Sequence, residues 1–317
     1  MRSIKSNSLT VLELCAGGGG QSRGLEEAGF TMAGAVEIDN RFCATLKHNR
    51  PSWKVIQGDL RAFSAHEFRG VDLVAAGVPC PPFSVAGKQL GAEDERDLFP
   101  EALRIISEVK PRAVLLENVK GFASAKFADY RSELLHRLLE MGYIPSTQLL
   151  NASDYGVPQL RPRFVIVGIQ KKYATEFQWP EKLADQKTVG QALQDLMSAN
   201  GWKYAFKWAK RAAGIGPTLV GGSTKHGGPD LGPTRARQKW AELGVDGSGI
   251  AEYAPSVSDS AAHTPRLTVR MAARVQGFPD DWEFVGKKTI AYRQVGNAFP
   301  PPVAKAVGMA IKKALTV

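Results

Sequence analysis

A chain of 317 residues, 44% hydrophobic and 23% charged, can bury a large core and suits one big domain with a smaller one beside it. Lysine and arginine outnumber aspartate and glutamate by 41 to 31, a net charge of +10 that favours phosphate-rich partners, although a basic solvated surface has the same composition. Cys15, Cys43 and Cys80 form no CxxC pair and no even-numbered framework, and no apolar run or basic-then-apolar leader stands out. A metal centre, a disulfide scaffold and a membrane span are therefore not expected, and a reducing, cytosolic setting is.

In chain order, Leu9 to Leu14, Thr31 to Glu37, Val71 to Gly77, Ala113 to Glu117 and Phe164 to Ile169 read as short buried strands. Gly20 to Ala28, Asn40 to His48, Phe99 to Glu108 and Arg131 to Met141 have helical spacing between them. Alternation of this kind predicts an α/β fold, a Rossmann-like doubly wound and mostly parallel sheet. Ligands of such sheets gather beyond the carboxyl ends of the strands. The glycines after Leu14, then Glu37, Asp59, Cys80 and Glu117, all fall at those ends.

After about residue 180 the character changes, for Gly201 to Trp240 holds eight lysines or arginines against one acid, Asp230. Trp202, Tyr204, Phe206 and Trp208 alternate with other residues there, a period of two that predicts a strand with one aromatic, core-facing side. Half of the residues from Gly214 to Pro233 are glycine or proline, which favours shaped loops over long helices. Helical spacing returns from Pro300 to Val317, with Lys312 and Lys313 suited to a helix carboxyl end.

The chemistry-bearing residues lie at the predicted strand ends. Glu13-Leu14-Cys15-Ala16-Gly17-Gly18-Gly19-Gly20 runs a strand through four glycines into a helix, so the backbone can pass close to a ligand; a tight corner is the plain alternative. Glu37, about twenty residues on, can accept both hydroxyls of a ribose. Asp59 can accept from an adenine amino group, or it is an ordinary turn aspartate. Pro79-Cys80-Pro81-Pro82 holds a cysteine at a strand end, and although free cysteines are usually inert core filler, this one has company. Glu117 closes the next strand, so a parallel sheet sets its carboxyl beside Cys80, and Gln159-Leu160-Arg161-Pro162-Arg163 adds two guanidinium groups. Thiol, acid and arginine around one pocket suit nucleophilic attack on an electron-poor ring.

The ordered set of motifs resembles that of the DNA cytosine-5 methyltransferases of bacterial restriction-modification systems. The matching segments are Glu13 to Gly20, Val36 to Asn40, Gly58-Asp59, Pro79-Cys80, Glu117-Asn118-Val119, Gln159 to Arg163, Arg266 to Trp282 and Gln294 to Ala304, nearly the whole chain. The resemblance implies methyl transfer from S-adenosylmethionine, leaving S-adenosylhomocysteine, to carbon 5 of a cytosine flipped out of duplex DNA, through a covalent Cys80 adduct at carbon 6. It implies catalytic roles for Pro79, Cys80, Glu117, Arg161 and Arg163. It implies donor binding by Cys15, Ala16, Gly17, Gly19, Gly20, Glu37, Ile38, Asp59, Leu60, Gly77, Leu98, Asn297 and Ala298, and a lid over Ser84 to Asp97. Residues 1–180 would form the catalytic and donor-binding domain, 181–282 the target recognition domain, and 283–317 a return segment completing the first. Ser84, Lys88, Lys225, Arg235 and Arg237 are the DNA-contact candidates, among a wider basic set of which at least half are expected to be solvated only.

Three positions depart from the family pattern: Pro81 replaces the usual glutamine after the cysteine, Cys15 an aromatic residue, and Ile38 a residue that in many members packs on adenine. Cys43 reads as helix core. The resemblance also implies a monomer and a cognate restriction endonuclease as a candidate partner, with no membrane association. Two other readings compete, methylation of tRNA and a DNA-binding protein without catalysis. A Cys-Phe-Thr tripeptide, which marks the tRNA branch, is absent, and Cys80, Glu117 and Arg163 are all present.

Overall fold

The computed structural model describes residues 8–79, 97–221 and 230–316. Its strands are β1 (Thr10–Leu14), β2 (Thr31–Glu37), β3 (Val55–Gln57), β4 (Leu73–Gly77), β5 (Ala113–Val119), β6 (Tyr143–Asn151), β7 (Gln159–Leu160), β8 (Pro162–Gln170) and β9 (Gly216–Pro217). Its helices are α1 (Gly20–Glu27), α2 (Asn40–Asn49), α3 (Phe99–Val109), α4 (Ala128–Glu140), α5 (Val189–Ser198), α6 (Ala205–Arg211), α7 (Thr234–Glu242), α8 (Val269–Val275), α9 (Lys288–Asn297) and α10 (Pro301–Thr316).

Seven strands form one sheet in the order β3-β2-β1-β4-β5-β8-β6. The first five neighbours are parallel, as the alternation of strand and helix predicts, whereas β8 runs antiparallel to both β5 and β6. Apolar residues on both faces of the central strands dictate a covered sheet. Leu12, Leu14, Val74, Ala76, Val114 and Leu116 face α3 and α4, while Val11, Leu73, Ala75, Ala113 and Leu115 face α1 and α10. Helix α1 seats against α10 because Gly24 has no side chain; a Cβ there would stand 2.3 Å from the Pro301 carbonyl oxygen. The carboxyl-terminal helix thus belongs to the same layer as the first one. Cys43 is buried in α2, as core.

A further apolar cluster gathers α5, α6, α8 and α9 with Trp240 of α7, and it reaches Ala16, Ala35 and Leu46 of the sheet layer. Thr188 opens α5 with a reciprocal cap to Gln191, satisfying orphan amides of the first turn. The strand predicted over Trp202 to Trp208 is not formed: residues 205–211 are helix α6. Buried positions here are Trp202, Ala205, Trp208, Ala209 and Ala212, with three- and four-residue steps from Ala205 onward, while Tyr204 and Phe206 are exposed. The helical period carried by the alanines therefore overrides the alternation of aromatic rings. Both tryptophans are core, and Trp208 donates its indole N–H to the Gly244 carbonyl at 2.8 Å.

Candidate active site

Strand β1 ends in a turn that only unusual backbone angles can make. Cys15, Gly17 and Gly19 all have positive φ, 54°, 57° and 87°; glycine meets this without strain, whereas Cys15 is held there by its surroundings. Glu37 at the end of β2 locks the turn. One carboxylate oxygen accepts the Gly17 amide at 2.7 Å and the other the Asp39 amide at 2.9 Å. Acceptor capacity remains, because a carboxylate has about four lone-pair sites.

The turn forms one wall of a cleft of about 290 Å³, at the low end for small-molecule sites. Cys15, Ala16, Gly17, Gly20, Glu37, Ile38, Asp59, Leu60, Gly77, Leu98, Asn297 and Ala298 all line it, together with Pro79 and Glu117. Gly19 does not: it sits behind the wall, where a Cβ would lie 2.4 Å from the Trp282 ring, and Trp282 donates to the Gly18 carbonyl at 3.0 Å. Asp59 lines the cleft and also makes the turn, accepting the Arg61 amide at 3.0 Å and its guanidinium at 2.8 Å. Ile38 is 63% exposed at the cleft, an apolar platform on which a flat ring can rest.

On the far side, Gly77 of β4 pairs with Glu117 of β5 in parallel register. Glu117 is buried and its carboxylate meets the Arg163 Nε at 2.7 Å. Arg163 also donates to the Pro162 carbonyl at 3.0 Å. Asn118 donates to the Val78 carbonyl at 3.1 Å, fixing the path of the chain as it leaves β4 toward Pro79. Cys80, Ser84, Lys88 and most of the predicted lid lie outside the described residues, as does Lys225. Asp97, the lid's last residue, is buried and accepts the Phe99 amide at 3.0 Å and the Tyr130 hydroxyl.

The family model of C-5 cytosine-specific DNA methylases matches residues 9–313. The chain belongs to this family. The methylase is 54% identical over 314 residues to the type II methyltransferase M.NaeI of Lentzea aerocolonigenes, covering 98% of this chain and 76% of that one. To M.NgoMIV of Neisseria gonorrhoeae it is 51% identical over 310 residues, 96% and 98% of the two chains. The fold also matches solved structures of remote sequence. The Entamoeba histolytica methyltransferase EhMeth has a TM-score of 0.70 at 15% identity, covering 98% and 100% of the two chains. The S. pombe Dnmt2 methyltransferase has 0.67 at 18%, covering 98% and 99%.

The methylase's cleft is acidic. Among the described residues Glu13, Glu37, Asp59 and Glu117 line it against one cation, Arg61, already paired with Asp59. Burial raises the Glu13 carboxyl from 4.5 to about 8, although Ser22 binds it, and raises Glu37 in the same direction. Burial also raises Glu117, with Arg163 pulling the other way. The Cys15 thiol is pushed up to about 12 by burial and the nearby acids, so it is no thiolate nucleophile at neutral pH.

Arg161 is not on the cleft. Its guanidinium is spent on carbonyls of Leu219 at 2.7 Å, Gly296 at 2.6 Å and Ala298 at 3.0 Å, and on the Gln159 side chain. It holds the turn that carries Asn297 and Ala298 instead of facing the reacting groups. Arg235 is exposed on α7, and Arg237 is half-buried with a 3.4 Å contact to Thr234. Glu13, Gln21, Phe42, Gln294 and Phe299 line the cleft without having been singled out from sequence. Glu13 carried a local signal, a lone acid inside the apolar strand Val11 to Leu14, and Gln294 and Phe299 lay within the matching segment Gln294 to Ala304. Among the described residues no helix is long and apolar enough to cross a membrane, and no three His, Cys, Asp or Glu gather in a metal-binding group.

Proposed function

We propose that this DNA (cytosine-5) methyltransferase acts on a flipped-out cytosine in a specific duplex DNA sequence, with S-adenosylmethionine as donor and Cys80 as nucleophile. The carrying observation is the buried Glu117–Arg163 pair, 2.7 Å apart, in register with Gly77 two residues before Pro79. The cleft fits the donor: Glu37 suits a ribose diol, Ile38 an adenine face, and the excess of carboxyls a cation. When bound, the donor supplies an electrophilic methyl group. Glu117, whose burial favours the protonated form, hydrogen-bonds ring nitrogen 3 and the amino group of cytosine. Arg163, through its remaining N–H donors, holds the cytosine oxygen and the developing negative charge. The Cys80 thiolate bonds to carbon 6, carbon 5 takes the methyl from the donor, which leaves as S-adenosylhomocysteine, and transfer of the carbon 5 proton to water re-forms the ring double bond and expels the thiolate.

Residues 1–180, 181–282 and 283–317 serve as catalytic domain, target recognition domain and return segment in this reading. Lys203, Lys207, Arg235 and Lys239 are exposed and suit phosphate contacts, with Arg235 and Arg237 also able to reach base edges. Ser84, Lys88 and Lys225 complete the proposed DNA surface. The enzyme works as a monomer in the bacterial cytosol, within a restriction-modification system.

Transfer of a labelled methyl group from S-adenosylmethionine to mixed-sequence duplex DNA, duplex RNA and tRNA, with wild type and Cys80→Ser, tests this. Label in DNA cytosine that vanishes with Cys80→Ser is expected. Label in tRNA alone, or tight DNA binding with no label anywhere, overturns it.

A further inference from the structure

Gln21 is the second residue of α1 and lines the donor cleft, yet its side chain is 4% exposed or less and neither its Nε2 nor its Oε1 has a hydrogen-bond partner. A buried carboxamide with both ends unsatisfied is rare and costs stability in the free protein. Gln294, which lines the same cleft, is also buried. Its Nε2 is committed to the Val285 carbonyl at 3.0 Å, which leaves its Oε1 unpartnered.

We propose that Gln21, with Gln294 beside the same cleft, is the side-chain recognition element for the α-amino-acid end of the donor, a role resting on the donor reading above. An α-amino acid presents a carboxylate, which only accepts, and an ammonium, which only donates. Gln21 offers one donor group and one acceptor, matching both. Gln294 offers an acceptor alone and so takes the ammonium. Among the described residues the one cation lining the cleft, Arg61, is bound to Asp59, so these residues meet the donor's carboxylate with neutral N–H groups. The nucleoside end is accounted for separately, by Glu37, Ile38 and Asp59 at the ends of β2 and β3. Gln21 and Gln294 come from α1 and α9 instead, on the side of the cleft closed by the return of the chain through Ala298 and Phe299.

The test is calorimetric titration of the full chain, wild type and Gln21→Leu, with S-adenosylhomocysteine and with methylthioadenosine, which keeps the nucleoside and thioether but lacks the amino acid. Hydrogen bonds to charged groups predict a loss of about 10- to 100-fold in S-adenosylhomocysteine affinity. Methylthioadenosine affinity is expected to stay unchanged. Thermal unfolding of the free proteins guards against misfolding: Gln21→Leu removes two unsatisfied polar atoms and is expected to melt no lower than wild type. A second variant, Gln294→Leu, is expected to weaken S-adenosylhomocysteine in the same selective way. Equal S-adenosylhomocysteine affinity in wild type and Gln21→Leu, or an equal loss for both ligands, overturns the proposal and leaves the donor reading standing. Failure of wild type to bind either ligand overturns both.

Discussion

Replacing Glu13 with glutamine is expected to stabilise the enzyme at alkaline pH and flatten its stability profile. Glu13 is fully buried in β1 and its carboxyl is raised from 4.5 to about 8, by burial first and the Glu37 charge further, against the hydrogen bonds from Ser22. A carboxyl raised on folding leaves the native state holding a proton that the unfolded chain has released. Its contribution is therefore fully present below about pH 4.5 and is lost as pH rises through about 8. At about 1.4 kcal/mol per pH unit, a gap of about 3.5 pH units amounts to about 5 kcal/mol between the two limits. Glutamine keeps the shape and can still accept from Ser22, but it has no proton to lose. Urea midpoints from pH 5 to pH 9 are the assay. The wild-type curve, minus the Glu13→Gln curve, is expected to fall by several kcal/mol over that window. Glu37 and Glu117 are also raised by burial, and subtracting the two curves cancels most of their share. Parallel curves for the two proteins across the range would refute the reasoning.

Glu117→Gln is expected to lower kcat by about 100-fold or more while leaving S-adenosylhomocysteine affinity within about threefold, since it removes the titrating carboxyl and keeps the side chain's size where it lines the cleft; calorimetry and methyl transfer separate the two. Asn118→Ala releases the Val78 carbonyl and with it the approach to Pro79, so kcat is expected to fall by about 10- to 100-fold with the fold intact, as for a misplaced reacting group; an unchanged kcat would remove Asn118 from the positioning of this segment. Arg161→Met strands the carbonyls of Leu219, Gly296 and Ala298 and is expected to cost about 3 kcal/mol in urea unfolding. Gly24→Val forces a side chain against the Pro301 carbonyl and is expected to destabilise by about 3 kcal/mol, seen as a lower melting temperature.

Most of the parallel half of the sheet was legible in the sequence because strands buried on both faces are short apolar runs, and their carboxyl ends carried Glu37, Pro79 and Glu117. β3 was not legible: it is only Val55–Gln57, with no room for a pattern. β6 was hidden for another reason. It is an edge strand with Pro145 inside it and a mixed burial pattern, features tolerated only at a sheet edge. Arg161 and Arg163 look equivalent in sequence, two residues apart before a strand. The break between β7 and β8 falls at Arg161 and separates them, one toward carbonyls from residues 219–298 and the other toward Glu117. The buried Gln21 stands at a helix start whose preceding residue, Gly20, packs against the turn at Ala298 and Phe299, nearly the whole chain away. Such burial is set by tertiary contact and leaves no local trace.

The antiparallel run of β8 has a chemical consequence. In a parallel sheet the start of every strand lies at the edge opposite its neighbours' ends, so a residue opening a strand cannot meet a residue closing the next one. Arg163 opens β8 and Glu117 lies near the end of β5. Because β8 is reversed, Val119 pairs with Arg163 and Glu117 with Val165, and the guanidinium reaches the carboxylate at the same sheet edge. Parallel pairing of β4 with β5 is needed as well, since Gly77 opposite Glu117 makes the chain leave toward Pro79 beside that carboxyl. One parallel and one antiparallel junction on either side of β5 thus bring together groups from three strands. For the proposed reaction, which needs a base-holding acid and an oxygen-binding arginine at one point, topology brings Glu117 and Arg163 together before any side chain is adjusted.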